Sequence, residues 1–186
     1  MALKRYCTTA LVAVMAMVLF VGAPIVVGQE SSPEYTSGLH TGWLTENYTD
    51  CYNGTWSCNR TFEYYIPSSY NPEGDPVPLL FSFHGLGSSG DEQRDLSRFD
   101  ELAEQEGFIA VFPDATVLDS EDYPECAGSL PPLPGAEIQW NLGGESLQYC
   151  AGINDVGFVS DMVDWFETHY EIDARQIYST GMSDGA

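Results

Sequence analysis

Hydrophobic and polar positions along the chain change period several times, and each change marks an element. Val77 to Phe83 is a nearly continuous apolar run of buried-strand length, and Ile109 to Phe112 is a second. Arg60 to Ile66 alternates with a period of two, which predicts a half-buried edge strand. Helical spacing appears twice. Asp91 to Gln105 would turn Leu96, Phe99, Leu102 and Ala103 inward, and Asp155 to His169 repeats Val159, Met162, Val163 and Phe166 at i, i+3, i+4 and i+7, with Asp155 able to cap. Gln176 to Thr180 is short, apolar to small and partly β-branched, as a buried strand should be. Residues 115–150, with Pro131-Pro132 and no clear period, read as a long loop overhanging a functional site.

Two loops at strand ends carry the candidate chemistry. The strand at Gln176 runs into Gly181-Met182-Ser183-Asp184-Gly185, a G-x-S-x-G pattern in which a sharp strand-to-helix turn lifts a serine hydroxyl above the sheet. Helix, short loop, strand and elbow is the order of an α/β-hydrolase. The strand at Val77 empties into His84-Gly85-Leu86-Gly87. Acyl transfer places negative charge on a carbonyl oxygen, and fixed backbone N–H groups stabilise it. The expected donors are the N–H of Asp184, after the nucleophile, and the N–H of Leu86, in the earlier loop. His84 invites reading as a base, but a histidine ending a buried strand is better read as orienting the loop. Trp140 is either a substrate platform or the hydrophobic anchor of its own loop.

These blocks resemble the secreted polyhydroxybutyrate-depolymerase and feruloyl-esterase-like family. The resemblance spans residues 60 to 186 and rests on Arg60 to Tyr70, Pro78 to Gly87, Gly107 to Asp114, Gln139-Trp140-Asn141, Asn154 to Phe158, Tyr170 to Asp173 and Gln176 to Gly185. It implies a secreted serine carboxylesterase that acts on ester-linked polymers or oligomers (polyhydroxyalkanoate, feruloyl or acetyl polysaccharide esters) through an acyl-enzyme, without metal or organic cofactor. The alternatives are a peptidase on the same fold and a non-catalytic glycosylated extracellular binding protein. The expected fold class is α/β, the N-terminal part of an α/β-hydrolase whose sheet is incomplete after the elbow. The triad acid and histidine follow the serine in chain order in this fold, so they are expected beyond Ala186, and the isolated chain is expected to be inactive. Asp184 departs from the neutral residue that many relatives carry there.

Composition adds the compartment. Lys4 and Arg5 precede an apolar stretch from Ala10 to Val27, with Val26 and Gly28 small enough for cleavage before Gln29. Residues 1–28 therefore read as a signal peptide, with an uncleaved anchor as the rival. Residues 29–59 read as a polar N-terminal extension and 60–186 as the catalytic domain. The formal charge of −22 would become −24 on removing Lys4 and Arg5, two of the six basic residues. Such a surface repels nucleic acid and acidic membranes, so no nucleic-acid partner and no stable membrane association are expected after cleavage. Cys51, Cys58, Cys126 and Cys150 form an even set suited to an oxidising compartment, with Cys51–Cys58 and Cys126–Cys150 preferred among three connectivities. The absence of a C-x2-C pair argues against zinc. Asn47, Asn53 and Asn59 begin glycosylation sequons and are three of only six asparagines.

Overall fold

The computed structural model describes residues 35–49, 55–116, 138–142 and 152–186. The five strands are β1 (Gly38–Thr49), β2 (Thr55–Ile66), β3 (Val77–Phe83), β4 (Ile109–Pro113) and β5 (Ile172–Gly181). They form one mixed sheet in the order β1-β2-β4-β3-β5. β1 and β2 pair antiparallel, as do β2 and β4, whereas β3 runs parallel to both β4 and β5. Helices α1 (Gly90–Ser97), α2 (Phe99–Glu106) and α3 (Asp155–His169) complete the fold, and a short 3-10 turn spans Ser183–Gly185.

The sheet is covered on both faces, and β4 shows why its sequence is apolar without alternation: all five residues are buried. Ile109 and Val111 join Phe62, Tyr64, Leu79 and Phe81 against Phe158, Met162 and Phe166 of α3. Ala110 and Phe112 turn to the opposite face, where they meet Ala103 of α2 with Phe99 and Phe108 alongside. α3 follows its spacing, with Phe158 and Trp165 added to the buried set. Its cap is Asn154, whose side-chain oxygen accepts the Gly157 N–H at 3.0 Å. The Asp155 carboxylate, expected to cap, is drawn to Arg60 instead.

Three expectations need correction. Residues 38–49, assigned to a polar extension, form β1 and pair along their full length with β2, from Gly38 opposite Ile66 to Thr49 opposite Thr55. β2 is accordingly an interior strand beginning at Thr55, so the sheet starts well before residue 60. The helix expected over Asp91 to Gln105 is two helices, because Arg98 adopts a left-handed conformation (φ 55°) that ends α1 and begins α2. That break leaves Leu96 and Leu102 exposed while Ala103 is fully buried. Most of the long segment 115–150 lies outside the described residues. No described helix is long and apolar enough to cross a membrane.

Candidate active site

Ser183 stands at the carboxyl end of β5 with φ 57°, one of two non-glycine residues in the left-handed region among those described. A non-glycine residue there costs on the order of 1–3 kcal/mol and persists only where its surroundings impose it. Here the two flanking glycines impose it by close approach. A Cβ on Gly181 would lie 1.9 Å from the Gly185 carbonyl oxygen, and one on Gly185 would lie 2.4 Å from the His84 oxygen and 2.8 Å from that of Phe83. The obstructing atoms are backbone, so side-chain rearrangement cannot relieve the clash.

The same contacts bring the two loops together. Phe83 pairs with Gly181 in the parallel β3–β5 register, and the Met182 N–H donates to the Phe83 oxygen at 3.1 Å. A Cβ on Gly85 would lie 3.3 Å from the Cβ of Ser183, so the His84–Gly87 loop abuts the serine. Neighbouring amides are committed: Gly87 N–H to Ile138 O at 2.8 Å, Ser88 to Gly85 O at 3.1 Å, Gly185 to Met182 O at 3.0 Å and Ala186 to Ser183 O at 3.2 Å. The Leu86 and Asp184 amides have no such partner among the described residues. They are the two amides named from the sequence as oxyanion donors.

His84 is fully buried and both ring nitrogens are engaged. Nε2 accepts the Ala115 N–H at 3.0 Å, which leaves Nδ1 to donate to the Gly85 oxygen at 2.8 Å. This neutral tautomer has no free nitrogen with which to take a proton from Ser183. His40 and His169 are likewise set toward the Thr36 and Trp165 carbonyls. Trp140 is buried; its Nε1 donates to the His84 oxygen at 2.9 Å and its ring stands edge-on to Phe83 at 5.2 Å. Its ring thus packs under the loop as an anchor. Both Asp184 carboxylate oxygens are hidden from solvent and unpaired, in a groove shared with Phe83, Trp140, Val156 and Val159.

The sequence reading missed a buried ionic network behind the loop. Arg60 Nη1 meets Asp155 Oδ1 at 2.5 Å, and Nη2 donates to the Asp114 oxygen at 3.0 Å. The guanidinium lies 3.9 Å from the centroid of Phe158 and 5.6 Å from that of Trp140. The other Asp155 oxygen accepts the Asn141 N–H at 2.5 Å. The signal was present in the alternation of β2, which puts Arg60 on the same face as Phe62, Tyr64 and Ile66. Beside this network, burial pushes the Tyr48 phenol up to about 12 despite Arg60, and it raises the Glu46 carboxyl, with Asp161 adding and Arg60 opposing.

The other named residues are dispersed. Asn47 and Asn59 are exposed on β1 and β2, and Thr45 Oγ1 donates to the Asn59 side chain at 2.7 Å. Cys58 is buried and disulfide-bonded. Cys51, Cys126, Cys150 and Asn53 lie outside the described residues. Among the described residues no cluster of His, Cys, Asp and Glu suits a metal ion.

No family model matches the chain. Over 134 residues it is 25% identical to a bifunctional acetylxylan esterase/xylanase of Neocallimastix patriciarum, covering 72% of this chain and 16% of that protein. Among solved structures, an S-formylglutathione hydrolase from Agrobacterium tumefaciens aligns with a TM-score of 0.53 at 15% identity, covering 84% of this chain and 53% of that one. An acetyl xylan esterase from Aspergillus awamori aligns at 21% identity and a TM-score of 0.47, covering 76% and 43%. The chain therefore spans a small part of the curated relative and about half of the solved structures. The likeness to the S-formylglutathione hydrolase structure, together with the mixed five-stranded sheet, shows the fold: the chain has part of an α/β-hydrolase fold, described here through β5 and the turn at Ser183.

Proposed function

We propose that the chain supplies the nucleophile and oxyanion side of a secreted serine carboxylic-ester hydrolase acting on esters of polysaccharides. The observation that carries this reading is the left-handed Ser183, fixed between Gly181 and Gly185 and abutting the His84–Gly87 loop. Ser183 Oγ attacks the ester carbonyl carbon while a histidine takes its proton, and the Leu86 and Asp184 N–H groups receive the oxyanion. Collapse expels the alcohol, which takes that proton back; water then repeats the sequence and releases the acid. His84 holds the loop, its ring nitrogens being occupied. The base and its carboxylate are assigned to chain following Ser183, the order of this fold.

Acetyl or feruloyl groups on xylan are the preferred substrates, since the curated relative is named for acetylxylan. Hydroxybutyrate oligomers are the further class implied by the sequence resemblance and require the same chemistry. Residues 1–28 are assigned as the signal for export, Cys51–Cys58 and Cys126–Cys150 as the disulfides, and Asn47, Asn53 and Asn59 as glycosylation acceptors.

The test is covalent labelling of the natural gene product by a fluorophosphonate, with turnover measured on acetylated xylan, methyl ferulate, hydroxybutyrate oligomers and peptides. Ser183→Ala should abolish labelling and lower ester hydrolysis by on the order of 10⁶. Labelling and ester turnover that survive in Ser183→Ala would reject the assignment. Faster turnover of peptides than of esters would make it a peptidase, and a wild type that neither labels nor turns over would make it a binding protein.

A further inference from the structure

Behind the His84–Gly87 loop runs a short segment, Ile138–Leu142, that touches the loop at both ends. The Ile138 oxygen accepts the Gly87 N–H at 2.8 Å, and Trp140 Nε1 donates to the His84 oxygen at 2.9 Å. The two bonds bracket Leu86, whose own amide is left uncommitted. The segment is itself fastened elsewhere. Gln139 bridges to Thr116, the Asn141 N–H binds Asp155 at 2.5 Å, and Asn141 Nδ2 donates to the Ile153 oxygen at 2.6 Å. Asp155 is held by Arg60, whose guanidinium lies between Phe158 and the Trp140 ring. Arg60 also grips the Asp114 oxygen, and the next residue, Ala115, donates its N–H to His84 Nε2.

We propose that Ile138–Asn141 is a clamp that sets the position of the Leu86 oxyanion donor, with Trp140 its positioning residue and the Arg60–Asp155 pair its lock. The proposal rests on the esterase reading above. Its physical basis is that a glycine-flanked amide has no side-chain packing to fix its direction. Hydrogen bonds on either side of it therefore decide where the N–H points. A donor counts in catalysis only when it meets the oxyanion at about 2.7–3.1 Å, and displacement by about 1 Å can cost on the order of 100-fold. Ground-state binding depends little on that direction, so the clamp acts on kcat more than on KM.

Trp140→Phe keeps an aromatic ring under Arg60 and against Phe83 but removes the donor to His84. The natural gene product should then show kcat on p-nitrophenyl acetate lowered between about 10- and 100-fold per fluorophosphonate-titrated serine, with KM changed less than about threefold. Independently of activity, the Gly87 amide should exchange its hydrogen at least about tenfold faster, because its partner segment has lost the adjoining tie. If circular dichroism shows that Trp140→Phe does not fold, Trp140→3-benzothienylalanine replaces only the indole N–H by sulfur, and the same losses are expected. An active wild type whose variant keeps kcat within about threefold, or whose loss lies entirely in KM, overturns the clamp and leaves the esterase reading intact. A wild type that neither labels nor hydrolyses any ester overturns both.

Discussion

Removing the guanidinium of Arg60 should cost more stability than any other single change to a charged residue described here. Its side chain is 1% exposed and that of Asp155 is 12% exposed, so Arg60→Met leaves a carboxylate without a counterion inside the fold. Breaking one side of a buried pair costs about 3–5 kcal/mol. For a domain of this size each kcal/mol is about 2–4 °C in Tm, which gives a fall of roughly 6–20 °C. Urea unfolding followed by tryptophan fluorescence at pH 7 measures this directly. Neutralising the orphan should recover part of the loss: Arg60→Met with Asp155→Asn keeps an acceptor for the Asn141 N–H and should regain about 2 kcal/mol over Arg60→Met alone. The loss should also persist in 1 M NaCl, since buried pairs are weakly screened. The exposed Arg98–Glu101 pair, by contrast, should contribute little to stability at any salt concentration, because solvent screens it. A cost below about 1 kcal/mol for Arg60→Met, or a double variant showing only the sum of its singles, would refute the claim that the ion pair is the source.

Gly185→Ala drives a methyl group into the His84 and Phe83 carbonyls, so it should reduce ester hydrolysis by at least about 100-fold, with a lower Tm and circular dichroism that stays near wild type. Glu46→Gln tests the buried carboxylate next to Tyr48 and Arg60. Burial first, and Asp161 second, raise its folded-state pKa above the unfolded value of 4.5, so the folded protein binds the extra proton and stability is lost as pH rises through the folded pKa. Glu46→Gln should therefore have a higher Tm than wild type at pH 7 and no advantage near pH 4; a constant difference across that range would exclude the burial cost as its cause.

How legible each element was follows from what covers it. β4 reads as a strand because both its faces are buried, and α3 reads as a helix because one stripe packs on the sheet while the rest meets water. β1 hides its alternation. Its buried face carries Glu46 between Leu44 and Tyr48, and its outer face carries the partly buried Trp43, so the binary pattern is blurred and the segment resembles a polar extension. The break at Arg98 has no glycine or proline to announce it, and only the exposure of Leu96 and Leu102 betrays it. Asp155 looked like a cap because acidic residues favour helix starts, but a buried guanidinium contributed from β2 outweighs a surface-type role. Gln139 to Asn141 has no period, since long-range hydrogen bonds rather than a repeating face hold it in place.

The site is legible for a different reason, which lies in topology. β3 and β5 are parallel neighbours with Phe83 opposite Gly181, so the loops that leave them emerge at the same edge of the sheet. Parallel strands require a long crossover, and the intervening chain contains α1, α2, β4 and α3. A serine elbow and an oxyanion loop can therefore stand far apart in sequence and still be fixed relative to one another by strand register alone. In such sheets ligands bind beyond the carboxyl ends of the strands, which is where Ser183 and Leu86 are found. Register brings the two loops side by side, with Phe83 opposite Gly181. The remaining precision comes from contacts no local pattern encodes: Gly185 against the His84 carbonyl, and Trp140 donating to that same oxygen. One carbonyl thus receives both Gly185 and the Trp140 donor, so the left-handed turn at Ser183 and the Ile138–Asn141 segment are set against a common reference atom.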